Sequence, residues 1–350
     1  MMIKKKQLIE LKPENHEAFH EVHEIVQQAR TEAFRQANKV LITLYFSIGR
    51  YISEKTTTSN WGMSIVDSLS EYLVAREPSI KGFSPRNLWR MKQFYETYKN
   101  DTKLTTALTE ISWSNHLHIL SKTKSVEERR FYLELTAKNH YSARDLSRLI
   151  DSGTFERTML ANQKLSTVLT EFPVNTSNVF KDVYLFEFTG LTDRYHELDL
   201  QALLLKHLRK FLLEMGPDFS FIAEQYLVQV GTHDYKIDLL LHHRGLNCLV
   251  AVELKITDFK PEYLGKLQFY LEALDKDVKK PHENPSIGLL ICKTKDDEVV
   301  KYAMNRSVSP ALVAEYETQL IDKSLLERKL HELSEVLVDE DNNKLLDKLD

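Results

Sequence analysis

Apolar residues recur at spacings of three and four through the first half of the chain, as in Val40, Leu41, Leu44, Tyr45 and Ile48. That period marks amphipathic helices, and it predicts an almost wholly helical region from about Pro13 to Leu160. Gly49, Gly62 and the Pro78–Gly82 stretch interrupt it most strongly, and Thr56–Ser59 reads as a small turn. No internal repeat is apparent. From Leu165 to Asn178 the composition shifts to Ser, Thr and Asn with Pro173, which predicts a linker over residues 166–178.

Beyond the linker the period changes. Leu198–Met215 reads as one amphipathic helix, closed by Gly216 as a C-cap and Pro217 as a breaker. Phe219–Val230, Tyr235–His242 and Asn247–Ile256 read as strands. Pro261–Leu274 is a predicted helix with Pro261 near its first turn. A short buried strand (Ser286–Cys292), a helix (Asp296–Met304), a strand (Ala311–Tyr316) and a last helix (Lys323–Val338) follow. This order predicts a mixed sheet with helices packed against it. The expected fold class is therefore multidomain. A helical N-terminal domain over residues 15–165 serves as a DNA-binding or assembly module, and an α/β domain with a central mixed sheet covers residues 179–338.

At 350 residues the chain can bury two separate cores. Its longest apolar runs are strand-length, well short of the ~20 residues that cross a bilayer, so no membrane association is expected. Lys4–Lys6 resembles the start of a signal peptide, but no continuous apolar segment follows, and that reading is rejected. Cys248 and Cys292 lack zinc spacing and read as reduced thiols, which points to the cytoplasm. Charge is unevenly spread. Residues 1–170 carry 25 Lys+Arg against 19 Asp+Glu, a net of +6, and the remainder carries 22 against 32, a net of −10. The front half can thus present a nucleic-acid footprint. Much of the excess acid lies in a tail from Glu332 to Asp350.

The candidate chemistry lies in the two strands around Arg244–Asn247. A short turn centred on Gly245 and Leu246 pairs residues whose numbers sum to 491, which places Asp238 opposite Glu253. Such pairs have Cβ atoms roughly 4.5–5.5 Å apart, and Lys255, two residues after Glu253, projects from the same face. Their neighbours are near-continuous apolar runs, typical of strands covered on both faces. Two carboxylates facing each other there repel. A shared proton relieves this, and so does a divalent cation held through oxygen. The ammonium of Lys255 favours the cation, because a lysine beside a metal ligand can orient or deprotonate a water or stabilise charge on a phosphoryl group. The bland alternative is a buried Glu253–Lys255–Asp238 ion network without chemistry.

Asp238, fourteen intervening residues and Glu253–Leu254–Lys255 resemble the PD-(D/E)XK nuclease signature, with Ile237 where the nominal motif has proline. The segments DYKIDLLLHHRGLNCLVAVELK, FKPEYLGKLQFYLEALD and ENPSIGLLICKTKDDEVVKYAM resemble the bacterial YhcG-like family. So do WGMSIVDSLSEYL, GFSPRNLWRMKQFYETY, WSNHLHILSK and EERRFYLE in the front half, so the resemblance runs from about residue 30 to 330. It implies a restriction-endonuclease-like domain in which Asp238, Glu253 and the backbone carbonyl of Leu254 ligate Mg²⁺ (or Mn²⁺), while Lys255 serves the attacking water or scissile phosphate. It also implies a site role for Gln268, which is otherwise a helix-surface glutamine. Glu197 and Asp199 sit where the family can add a carboxylate, although helix-capping acid accounts for both. His242 and His243 read as turn-surface residues.

In the helical half, Ser84 can cap and Pro85 can open a helix running to Tyr98. Leu88, Met91, Tyr95 and Tyr98 share one face, while Arg86, Arg90, Lys92 and Gln93 form a basic polar side. With Met63–Leu73 before it, this resembles a helix-turn-helix with a long connection. Arg144 and Arg148 could add phosphate contacts. The competing reading is a solvated bundle face that mediates homo-oligomerisation. The expected function is metal-dependent phosphodiester hydrolysis, with DNA as substrate, in DNA processing or defence. The alternatives are a non-catalytic nucleic-acid-binding scaffold and a nuclease acting on RNA or branched structures.

Overall fold

A computed structural model describes residues 13–58, 63–101, 105–191, 195–305 and 309–332. Gly62, the predicted helix end at Val338 and the acidic tail beyond residue 332 lie outside them. The chain divides into two compact units, Met1–Ser147 and Arg148–Asp350.

The first unit is helical: α1 (Pro13–Thr58), α2 (Met63–Arg76), α3 (Pro85–Tyr98), α4 (Thr105–Glu110), α5 (Trp113–Lys122), α6 (Val126–Asn139) and α7 (Ala143–Asp151), the last of which carries the boundary. Ser84, Ser112 and Ser125 cap α3, α5 and α6, each accepting from the backbone N–H three residues on. A hydroxyl there satisfies one of the orphan donors at a helix start. Tyr45 and Ile52 of α1, Val66 of α2 and Leu88 and Met91 of α3 make one buried cluster. On α3 the buried face is Leu88, Met91, Phe94 and Tyr98. Phe94 thus takes the place expected for Tyr95, which is half-buried.

The second unit begins with α8 (Thr154–Gln163) and α9 (Thr167–Thr170), followed by β1 (Val183–Leu185), α10 (Glu197–Lys206) and α11 (Leu208–Met215). Then come β2 (Phe219–Val230), β3 (His233–His243), β4 (Cys248–Leu254), α12 (Glu262–Ala273), β5 (Ile287–Cys292), α13 (Asp297–Met304) and β6 (Ala311–Glu317). Residues 323–332 are helical. The strands form one mixed sheet in the order β1-β6-β5-β4-β3-β2, with β2, β3 and β4 antiparallel and the remaining pairs parallel. One face buries Leu239, Leu241, Val250, Val252 and Leu254 with Leu200 and Leu204 of α10 and Phe211 of α11. The other buries Leu240, Leu249 and Ala251 with Leu264, Leu267 and Leu271 of α12. Covering on both faces accounts for the apolar runs in β3 and β4.

The structure departs from the sequence expectations in four places. The helix expected over Leu198–Met215 is two, because His207 leaves helical geometry (φ −111°, ψ 34°). The three-residue β1 was not anticipated, since so short an apolar run carries no period. Residues 166–178, expected as a linker, contain α9, whose Leu169 is fully buried with Phe180 and Tyr184 in the second unit's core. The compact-unit boundary falls at Ser147/Arg148 and not at residue 165. Arg157 of α8 explains this, being buried in an ion pair with Glu214 of α11.

Candidate active site

The β3–β4 ladder runs through Leu239↔Val252, Leu240↔Ala251 and Leu241↔Val250, the register in which partner numbers sum to 491. One step further brings Asp238 beside Glu253. Asp238 also breaks the strand's alternation. Ile237 and Leu240 belong to the same core cluster although three residues apart, while Leu239 and Leu241 lie in the other. On the adjacent strand, β2 pairs Glu224 with Leu239 and Tyr226 with Ile237. Gln225, between them, is left-handed (φ 44°). A non-glycine residue in that region inside a strand is strained and tends to mark a site.

The irregularity supplies a hydrogen-bonded cradle for Asp238. Leu254 N–H donates to Asp238 Oδ2 (2.9 Å) and Gln225 Nε2 donates to Asp238 Oδ1 (3.3 Å). Gln201 Nε2, from α10, donates to the Asp238 carbonyl (2.6 Å), and Gln225 Nε2 also donates to Gln201 Oε1 (3.0 Å). Burial first, and then the charge of Glu253, hold the Asp238 carboxyl above the usual carboxylate range.

Glu253 is completely buried. Its Oε1 lies 3.1 Å from Lys255 Nζ and 2.5 Å from Lys266 Nζ, while its Oε2 is buried with no hydrogen-bond partner. Lys255 Nζ also donates to the Leu254 carbonyl (3.0 Å) and to Glu197 Oε2 (3.1 Å), and it lies 5.7 Å from the Tyr263 ring centroid. Burial works against the charge on Lys255, but Glu253 and Glu197 outweigh it and hold the ammonium above its ordinary pKa. Lys266 is also raised, with Glu253 again overcoming the cost of burial. Both lysines are therefore cations at neutral pH.

The structure thus brings together Asp238, Glu253, Leu254 and Lys255, and adds Glu197, whose carboxylate reaches Lys255 and not only the helix start. Asp199 is a cap, its Oδ2 accepting from the His196 N–H (2.8 Å). Gln268 lies half-buried on α12, two residues and so about 200° around the helix from Lys266. His243 is buried, where its Nδ1 accepts from Leu246 N–H in the turn, and His242 lies 3.3 Å from Glu283. Lys266, Gln201 and Gln225 escaped the sequence reading. A signal for Gln201 was present in its spacing of four from Glu197, which puts both on one face of α10. Lys266 left only its spacing of four from Tyr270, over whose ring it lies at 5.4 Å.

Among the candidate nucleic-acid contacts, Arg86 and Arg144 are exposed and Arg90 is half-buried. Lys92 pairs with Glu96 (2.8 Å). Arg148 belongs to the second unit and pairs with Glu187 (2.6 Å).

Residues 177–331 match the family model for the YhcG PDDEXK nuclease domain, and residues 21–157 match that for the DUF1016 N-terminal domain. The chain belongs to the YhcG-like family. It is 29% identical over 360 residues to a protein of Escherichia coli (strain K12) named "Putative nuclease YhcG", covering 91% of this chain and 95% of that one. The second unit accordingly has the restriction-endonuclease-like PDDEXK fold, with the six-stranded mixed sheet at its centre. A solved structure, a repair endonuclease from Pyrococcus abyssi, matches 37% of this chain and 49% of its own at 14% identity and a TM-score of 0.24, too loosely to bear on function. Among the described residues no helix is long and apolar enough to cross a membrane.

Proposed function

We propose that the second unit hydrolyses phosphodiester bonds, with DNA as its substrate and Mg²⁺ or Mn²⁺ as its cofactor. The observation that carries this reading is Glu253 Oε2, an unpartnered oxygen in a fully buried carboxylate beside Asp238. An orphaned buried acceptor is costly, and a hard cation satisfies it. Among the described residues no group of three His, Cys, Asp or Glu could hold a metal. On this reading the donors would be the Asp238 and Glu253 carboxylates with the Leu254 carbonyl, as the family resemblance implies. This sparse oxygen set suits Mg²⁺, which is held by one or two carboxylates and keeps several waters.

Such an ion would polarise the phosphoryl group and lower the pKa of bound water. The protein's own groups do the rest. Gln225 and the Leu254 N–H fix the orientation of the Asp238 carboxylate, and Gln201 fixes its backbone. Lys255, whose ammonium lies 3.1 Å from Glu253 and from Glu197, would serve the attacking water or oppose the negative charge that builds on the scissile phosphate. Glu197 holds that ammonium in place. Arg86 and Arg144 of the helical unit are exposed cations suited to the phosphate backbone.

The test is a cleavage panel of linear, circular, single-stranded and branched DNA and of RNA, with Mg²⁺ and with Mn²⁺. Wild type should cut DNA, and Asp238→Ala and Lys255→Ala should each abolish cutting. Full activity in both variants would sink the assignment. One observation favours the alternative of a non-catalytic scaffold: Glu253 Oε1 is already paired with two lysines. Calorimetric titration with Mn²⁺ separates the readings, since a scaffold would bind no more ion than its Glu253→Gln variant.

A further inference from the structure

Helix α1 continues far beyond the part that packs. Ile42, Tyr45 and Ile52 are buried, Asn38 donates to the Thr109 and Ile111 carbonyls, and Arg35 pairs with Glu110. Every residue from Phe19 to Ala37 is nevertheless exposed. A helix of this length without tertiary contacts is marginal in water, and this one is not polar all round. Phe19, Val22, Val26, Ala33, Ala37 and Val40 fall at spacings of three, four and seven on a single stripe. Phe19 is 51% exposed and Val40 is 68% exposed.

The spacing of that stripe is palindromic. About a point between Ala29 and Arg30, Phe19 mirrors Val40, Val22 mirrors Ala37 and Val26 mirrors Ala33. Charge is unevenly placed about the same point. Glu21 and Glu24 lie on one side, where Glu24 mirrors Arg35, and Arg35 and Lys39 lie on the other, with Glu32 the one acid among them. A surface whose apolar positions map onto themselves, with acids weighted to one end and bases to the other, suits its own copy under a two-fold axis. That is the requirement for an isologous dimer.

We propose that α1 pairs antiparallel with α1 of a second copy of this chain, centred between Ala29 and Arg30. The pairing closes three apolar layers twice over, once on each side of the axis. It sets Glu21 on the same rim as Lys39 of the other copy. Ala29 and Ala33 allow close approach at the centre, where the aliphatic stem of Arg30 covers them and its guanidinium reaches solvent. A parallel pairing would set Glu21 level with Glu21 and Lys39 level with Lys39, so the charges favour the antiparallel form. The proposal is independent of the nuclease reading.

The experiment uses the full chain. Light scattering coupled to gel filtration should give the mass of two chains for wild type, and that of one chain for Val22→Glu with Val26→Glu. Both positions are exposed, so the variant should keep the wild-type circular dichroism melt of its packed helices. Orientation is read by cross-linking. Val22→Cys combined with Ala37→Cys should form a disulfide-linked dimer under mild oxidation, and Val22→Cys alone should not. A single-chain mass for wild type at every concentration would overturn the proposal. Efficient cross-linking by Val22→Cys alone would overturn the antiparallel register, and an undiminished mass for the double glutamate variant would overturn the seam.

Discussion

At the scale of single residues, the site is an arrangement of charge around a carboxylate that cannot reach water. Lys266 competes with any cation for Glu253, lying 2.5 Å from Oε1. Lys266→Met should therefore tighten Mn²⁺ binding by about tenfold in calorimetry, or about 1.4 kcal/mol. This is well below the unscreened Coulomb energy, because the lysine is half-exposed. Weaker binding would show that Lys266 supports the site and does not rival the ion. A second residue-scale prediction concerns His116. Burial lowers its pKa to about 4, against about 6.5 in the unfolded chain. The folded state thus keeps the ring neutral while the unfolded state takes up a proton. Stability is full above about pH 6.5 and is lost as pH falls toward 4, by up to about 1.4 kcal/mol per pH unit. The three tryptophans, Trp61, Trp89 and Trp113, all lie in the first unit, so fluorescence-monitored urea unfolding reports on it. Wild type should lose more stability between pH 7 and pH 5 than His116→Phe, and equal losses would remove His116 as the cause.

At the scale of elements, helix packing makes opposite demands on two glycines. A Cβ on Gly49 would lie 2.0 Å from the Met91 carbonyl oxygen, so α1 and α3 touch backbone to backbone. A carbonyl cannot swing aside, and α1 would have to move. Gly49→Ala should destabilise by about 1–3 kcal/mol, the cost of overpacking, although alanine is the better helix former. Gly265 in α12 has nothing within 4 Å of such a Cβ, and Gly265→Ala should stabilise by about 0.5–1 kcal/mol. Paired urea unfolding curves check both signs. Elements with a strong local signal were legible in the sequence: Phe219–Val230 is a strand over that whole range, and Ser84 caps α3 as its position implied. The 491 register was legible because a four-residue turn fixes hairpin pairing. What was not legible depends on long-range contact. Gln225 departs from strand geometry opposite Asp238, and Lys266 meets Glu253 only because α12 packs across β4. Leu169 and Arg157 join the second unit through burial that no local composition reveals.

At the scale of the whole molecule, the chain separates its charges along its length, +6 in residues 1–170 and −10 beyond. The excess acid beyond residue 170 would repel a polyanion, so under the proposed function the basic positions expected to hold nucleic acid are those of the helical unit. The sequence offered five such cations, and the structure narrows them. Lys92 and Arg148 are committed to Glu96 and Glu187, whereas Arg86 and Arg144 remain exposed. Each phosphate contact releases condensed counterions, so its loss lowers the slope of log affinity against log salt by about 1. Arg86→Ala with Arg144→Ala should therefore flatten that slope by about 2 for duplex DNA in fluorescence anisotropy, and should leave Mn²⁺ binding at Glu253 unchanged. Lys255→Ala should do the reverse, abolishing cleavage while keeping most of the salt-dependent affinity. If the double arginine variant kept the wild-type slope, the helical unit would not hold the phosphate backbone, and its basic face would be solvated surface. If it lost Mn²⁺ binding as well, the arginines would be acting on the fold and not on DNA. Under the proposed function, the two sets of variants would thus separate holding the substrate from cutting it.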